Sequence, residues 1–189
     1  MDAASSGGPE GPLLVILVSG FLDQSFGRAV LNFEAAFREA YPQVATHRFT
    51  FDQRRAIERL IAAQPPGTRV RLIGHSWGGN TAAKIAERLG AMDQPLDLLM
   101  TLDPVGRGAT PAFFRRVRRG ARRWVNVNAV GGRPLGLSDV TRRLGDAYDG
   151  GPRGHAHEFI DAPLEHRQFG SMLSQRTSSG LSLLDEITA

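Results

Sequence analysis

The chain has 189 residues, 41% of them hydrophobic and 22% charged, with a net charge of +4. That is one domain of ordinary size with apolar material enough for a core, and it excludes a chain disordered throughout. The absence of cysteine excludes disulfides, a catalytic thiol and Cys-ligated zinc.

No apolar run approaches the roughly 18–20 residues a membrane-spanning helix needs. The longest, "LLVILV", is strand-sized. The preceding "MDAASSGGPEGP" holds two acids and no Lys or Arg. It lacks the basic start of a signal peptide, so residues 1–12 read as a flexible tail and 13–189 as a single domain. A cytoplasmic protein is expected, with specialised secretion as the alternative. The charge is uneven. From Pro104 to Ser138 there is no acid, but there are Arg107, Arg115, Arg116, Arg118, Arg119, Arg122, Arg123 and Arg133.

Strand-like and helix-like segments then alternate. "LLVILVS" is a buried strand. Between Ser25 and Tyr41, Val30, Phe33, Phe37 and Tyr41 share one helical face, and Pro42 follows as a stop. "VATHRFTF" is a second strand. Asp52 is positioned to cap a helix striped by Ile57, Leu60 and Ile61, and Pro65-Pro66 ends it. "TRVRLIG" is a third strand, and the helix after it buries Ala82, Ile85, Ala86 and Leu89 before closing at Gly90. "LDLLMTL" is a fourth strand. Thr110-Pro111 opens a helix with Phe113, Phe114 and Val117 inward. "RRWVNVNAV" and "AHEFIDA" complete six strands, and a last helix carries Phe169, Met172 and Leu173. Residues 131–155 read as a long surface loop, and the tail from Ser174 as a short helix or a loose end. This alternation predicts an α/β fold, a mostly parallel sheet of about six strands with helices on both faces and no large lid domain.

The third strand runs into "GHSWGG". Gly74-His75-Ser76-Trp77-Gly78 is G-x-S-x-G in a strand-to-helix turn. A serine at the tip of so sharp a turn leaves no space for side chains two residues before or after it, so glycine is required there. The turn lifts the hydroxyl above the sheet and aims the Trp77 N–H at an oxyanion. Otherwise Ser76 is a capping residue in a tight turn.

A serine nucleophile needs a base and an orienting acid. In an α/β-hydrolase these follow as acid, then His. Asp103, in "LLMTLDPVG", stands at the carboxyl end of the next strand, where such sheets build their sites. Asp139, Asp146 and Asp149 are the rival acids. His166 follows the last strand and is placed at the same edge. His155 and His157 precede or start that strand and are placed toward the opposite edge, with His157 the rival base. The H-x-H pair has no further ligand cluster, so no metal and no cofactor is expected. His47 and His75 read as structural. In "VSGFLDQ", Gly20 lets the chain turn close to the site, so the N–H of Phe21, or of Leu22, is the second oxyanion donor.

Together "SGFLD", "GHSWGG", "LDP" and a late His followed by Arg resemble the motif series of pancreatic-type lipases in the α/β-hydrolase superfamily, as ordered landmarks over residues 13–170. Ser19 stands where that family commonly has histidine. The resemblance implies an α/β-hydrolase fold, Ser76 as nucleophile, Asp103 as orienter, His166 as base, and Phe21 with Trp77 as oxyanion donors.

These readings converge on a serine hydrolase of carboxylic esters, with a small-molecule or lipid ester as substrate. The alternatives are an acyltransferase or thioesterase on the same triad, a lipase-type toxin effector, and a non-catalytic binding module using the Arg-rich helix. Because the basic segment 107–123 follows Asp103 directly, Arg115 and Arg118 are candidates for holding an anionic part of the substrate or an anionic surface; otherwise they are a solvated helix face. Nucleic acid is not expected, since no aromatic stacking series accompanies the arginines.

Overall fold

The computed structural model describes residues 11–21, 28–131 and 146–189. The elements in chain order are β1 (Leu13–Ser19), α1 (Ala29–Ala40), β2 (Ala45–Thr50), α2 (Arg54–Ala62), β3 (Arg69–His75), α3 (Trp77–Gly90), β4 (Leu96–Leu102), α4 (Pro111–Arg119), β5 (Ala121–Ala129), β6 (Glu158–Ala162), α5 (Phe169–Leu173) and α6 (Leu183–Thr188).

The strands form one sheet in the order β2-β1-β3-β4-β5-β6, and every neighbouring pair is parallel. Helices cover both faces, which is why the central strands are continuous apolar runs rather than alternating ones. One core joins Leu14, Ile16 and Leu72 to Ile57 of α2, Ile85 of α3 and Phe114 of α4. The other joins Val15, Leu17 and Met100 to Phe37 of α1, Phe169 of α5 and Ile187 of α6. Burying each such side chain contributes about 1.5–3 kcal/mol. This is a small α/β-hydrolase fold. The strand order reverses at β1, so the connections after β1 and β3 leave the sheet in opposite directions, and the carboxyl ends of such a strand pair are where open α/β sheets place their sites.

Several local expectations change. The side chain of Asp52 does not cap α2. Gln53 is the N-cap, without a side-chain cap bond, and Asp52 instead takes the Thr50 hydroxyl. Gly90 is the last residue of α3 rather than a left-handed cap. It is small because α4 ends against it: a Cβ would come 2.7 Å from the Gly120 nitrogen. Thr110 does cap α4, accepting from the Phe113 N–H at 3.2 Å. The tail's short helix is real, opened by a capping box between Ser182 and Asp185.

Residues 1–10 of the expected N-terminal tail lie outside the described residues. Pro12 belongs to the domain, its carbonyl accepting from the Arg69 N–H at 2.9 Å. Of the expected loop 131–155, residues 132–145 lie outside the described residues. Its last part is not a surface loop throughout: Tyr148 is buried, and its hydroxyl donates to Asn80 Oδ1 at 2.8 Å.

Candidate active site

Ser76 alone makes the turn between β3 and α3, with φ 56° and ψ −126°. For a residue with a Cβ this is a sparsely populated conformation, costing on the order of 1–3 kcal/mol. Its surroundings hold it there. The Ser76 N–H donates to Leu102 O at 3.0 Å, and the Ser76 carbonyl accepts from the N–H groups of Gly79 at 2.9 Å and Val105 at 3.0 Å. A Cβ on Gly74 would overlap the Gly78 carbonyl, and one on Gly78 would overlap the Val18 carbonyl of β1. The two glycines therefore serve a close approach of three backbone segments.

Asp103 follows β4 with φ 41°, anchored by its N–H to Val127 O at 2.7 Å. Its Oδ1 accepts from the Ala129 N–H at 3.1 Å. Its Oδ2 lies 2.5 Å from His166 Nδ1, and His166 Nε2 lies 2.9 Å from Ser76 Oγ. All three residues are at most 5% exposed. A carboxylate only accepts, so Nδ1 carries the proton and Nε2 presents its lone pair to the serine hydroxyl. The geometry thus orders one hydrogen-bonded chain, from hydroxyl to imidazole to carboxylate, across 90 residues of sequence.

The rival base His157 sits elsewhere. The N–H of Trp124 donates to His157 Nδ1 at 2.9 Å, tying that ring to the amino end of β5. Burial and the nearby Arg118 and Arg123 hold the His157 pKa below its ordinary value. Asp139 lies outside the described residues, and Asp146 uses its carbonyl to accept from the Gly106 N–H at 3.0 Å.

Trp77 is the first residue of α3, so its N–H has no acceptor within the helix. Gly20 passes against Ser76, bringing the start of the Phe21 backbone to the same place; Leu22 lies outside the described residues. The Phe21 ring is 62% exposed and meets Phe51 edge-on at 6.2 Å. Phe51 in turn lies 5.9 Å from Trp77, so an aromatic run borders the serine.

Arg115 and Arg118 are not brought to Ser76. The α4 helix runs from the carboxyl edge of the sheet back to its amino edge, and Arg118 donates to His155 O at 3.0 Å, beside the start of β6. Arg115 projects to solvent from the middle of the helix. The segment follows Asp103 in sequence, but a helix antiparallel to the strands carries charge away from that edge.

His75, expected to be structural, has a specific partner. It is 3% exposed, its Nε2 lies 2.7 Å from the carbonyl of His166, and the two rings approach to 4.9 Å. Among the described residues no three His, Asp or Glu side chains gather where a metal ion could sit, and no helix is long and apolar enough to cross a membrane.

No family model matches the chain, and no curated protein matches it. Among solved structures, Est1E from Butyrivibrio proteoclasticus is similar with a TM-score of 0.44 at 16% identity, over 73% of this chain and 76% of that one. The metagenomic carboxyl esterase MGS0156 is similar with a TM-score of 0.43 at 12% identity, over 72% of this chain and 56% of that one.

Proposed function

We propose that this protein is a serine hydrolase acting on carboxylic esters. The observation that carries the reading is the hydrogen-bonded chain Ser76–His166–Asp103, with Ser76 held at positive φ between a strand and a helix. In this reading His166 Nε2 takes the hydroxyl proton as Ser76 Oγ attacks the ester carbonyl carbon. The carbonyl π pair moves onto oxygen, and the N–H groups of Trp77 and Phe21 stabilise that oxyanion. When the pair returns, the C–O bond to the alcohol breaks. His166 gives its proton to the departing oxygen, leaving an acyl-serine. Water then repeats the sequence and the acid is released. Asp103 keeps the imidazole in the working tautomer and stabilises its cationic form. The aromatic run Phe21–Phe51–Trp77 beside the serine suits an ester with an apolar portion.

The test is intact mass after treatment with a fluorophosphonate probe, for wild type and Ser76→Ala in parallel. One adduct on wild type and none on the variant is expected. A folded wild type that takes no adduct, or a variant that still takes one, overturns the reading.

A further inference from the structure

We infer that His75 is a positioning residue for the base: its Nε2–H holds the backbone carbonyl of His166, and through it the base-bearing segment, in register with Ser76. The inference rests on the reading of His166 as the base, and it concerns what keeps that base in place.

His166 is not in a helix or strand. It lies between β6, which ends at Ala162, and α5, which begins at Phe169. Yet its ring must satisfy two separate partners, at 2.5 Å and 2.9 Å. A side chain on an irregular segment keeps such geometry only if its backbone is fixed by something beyond its own turn. Backbone bonds tie the flanks: the Gly131 N–H donates to Leu164 O at 2.9 Å, and, within the turn itself, the Gln168 N–H donates to Glu165 O at 3.0 Å. The carbonyl of His166 itself is held by His75, 91 positions earlier, at 2.7 Å.

His75 is suited to this by its own position. It is the last residue of β3, so its backbone is set by the central sheet and adjoins the serine directly. A carbonyl only accepts, so His75 Nε2 carries the proton in this bond. The ring is wedged between the His166 ring at 4.9 Å, tilted by 32°, and the Phe169 ring, edge-on at 5.6 Å. That packing fixes the donor's direction. One strand end thus sets both partners of the proton transfer: the serine through the chain, and the base through the His75 imidazole. Loss of this bond leaves the fold and the apolar contact intact and loosens only the Ser76–His166 register. A misplacement of about 1 Å costs on the order of a hundredfold in rate.

The experiment compares His75→Phe, which keeps a ring but cannot donate, with His75→Gln, which restores an N–H at similar reach. Two quantities are read in the full chain. One is fluorophosphonate labelling, resolved into a limiting rate and an apparent binding constant. The other is the downfield proton resonance of the His166 Nδ1–H, assigned by its loss in His166→Gln. For His75→Phe we expect an unchanged melting profile and binding constant, a limiting rate lower by about ten- to a hundredfold, and a shifted or broadened resonance. His75→Gln should recover most of both. Wild-type rate and resonance in His75→Phe overturn the inference, as does equal damage in both variants. If wild type takes no label, the hydrolase reading falls. The resonance alone then reads the contact: unchanged in His75→Phe it overturns the inference, while shifted or broadened there and recovered in His75→Gln it upholds His75 as what positions the His166 ring.

Discussion

Gly20 lies directly against Ser76: a Cβ on Gly20 would stand 2.7 Å from Ser76 Cβ and 3.1 Å from its Oγ. These two residues directly follow the ends of neighbouring strands, and the first has no side chain because the second needs the space. Gly20→Ala should therefore push the serine hydroxyl away from His166, with little effect on the rest of the fold. We expect the fluorophosphonate labelling rate to drop at least about tenfold while the melting profile stays close to wild type. Labelling at the wild-type rate would show that the contact does not constrain the serine.

Asp103 accepts from both the Ala129 N–H and His166 Nδ1. In Asp103→Asn the amide can still fill the site, but it offers Nδ1 a donor or a weaker acceptor and favours the wrong tautomer. The expected loss in kcat on a p-nitrophenyl ester is about a thousandfold or more, with KM little changed. A loss of only a few fold would assign Asp103 a structural part alone.

His157 gives the chain a titration away from the serine. Its Nδ1 accepts from the Trp124 N–H, which requires the neutral ring, and burial together with Arg118 and Arg123 lowers its pKa. With the folded value below the unfolded one, the unfolded chain binds more protons between the two. Stability therefore falls as pH drops below about 6.5 through that window and is complete above it. Urea unfolding at pH 7 and pH 5 should show this loss, and His157→Asn, which accepts without titrating, should reduce it. An identical pH dependence in the two proteins would contradict the assignment.

Neutralising the basic helix should leave the chemistry alone. With Arg118 bonded to His155 O and Arg115 in solvent, the variant Arg115→Gln/Arg118→Gln is expected to hydrolyse neutral and carboxylate-bearing p-nitrophenyl esters at the wild-type ratio. A selective loss on the anionic ester would place these arginines on the substrate's path.

How much of this was legible in the sequence depends on the range of the cause. The elbow is legible because half of it is a local steric problem: a Cβ on Gly74 would meet the Gly78 carbonyl within the turn, while one on Gly78 would meet Val18 of β1, and the spacing of both glycines about Ser76 is visible in six letters. The six strands are legible because a sheet covered on both faces needs continuous apolar runs, and "LLVILV" and "LDLLMTL" meet that need. Even so, Arg71 interrupts the third run. It is buried because its guanidinium bonds Asp97 at 3.2 Å and Glu186 O at 2.7 Å, partners 26 and 115 positions away that no local pattern announces.

The sequence by itself determined the fold class, the strained serine and the edge of the sheet at which an acid and a histidine had to meet it. Those follow from periodicity, from glycine sterics and from the rule that parallel strands all end on one side. Only the tertiary structure decided which histidine reaches the serine, what holds that histidine, and where the arginines point. These are contacts across 90 residues or more, or depend on the direction in which a helix returns across the sheet. The folded backbone sets such distances, and charge or spacing along the chain does not.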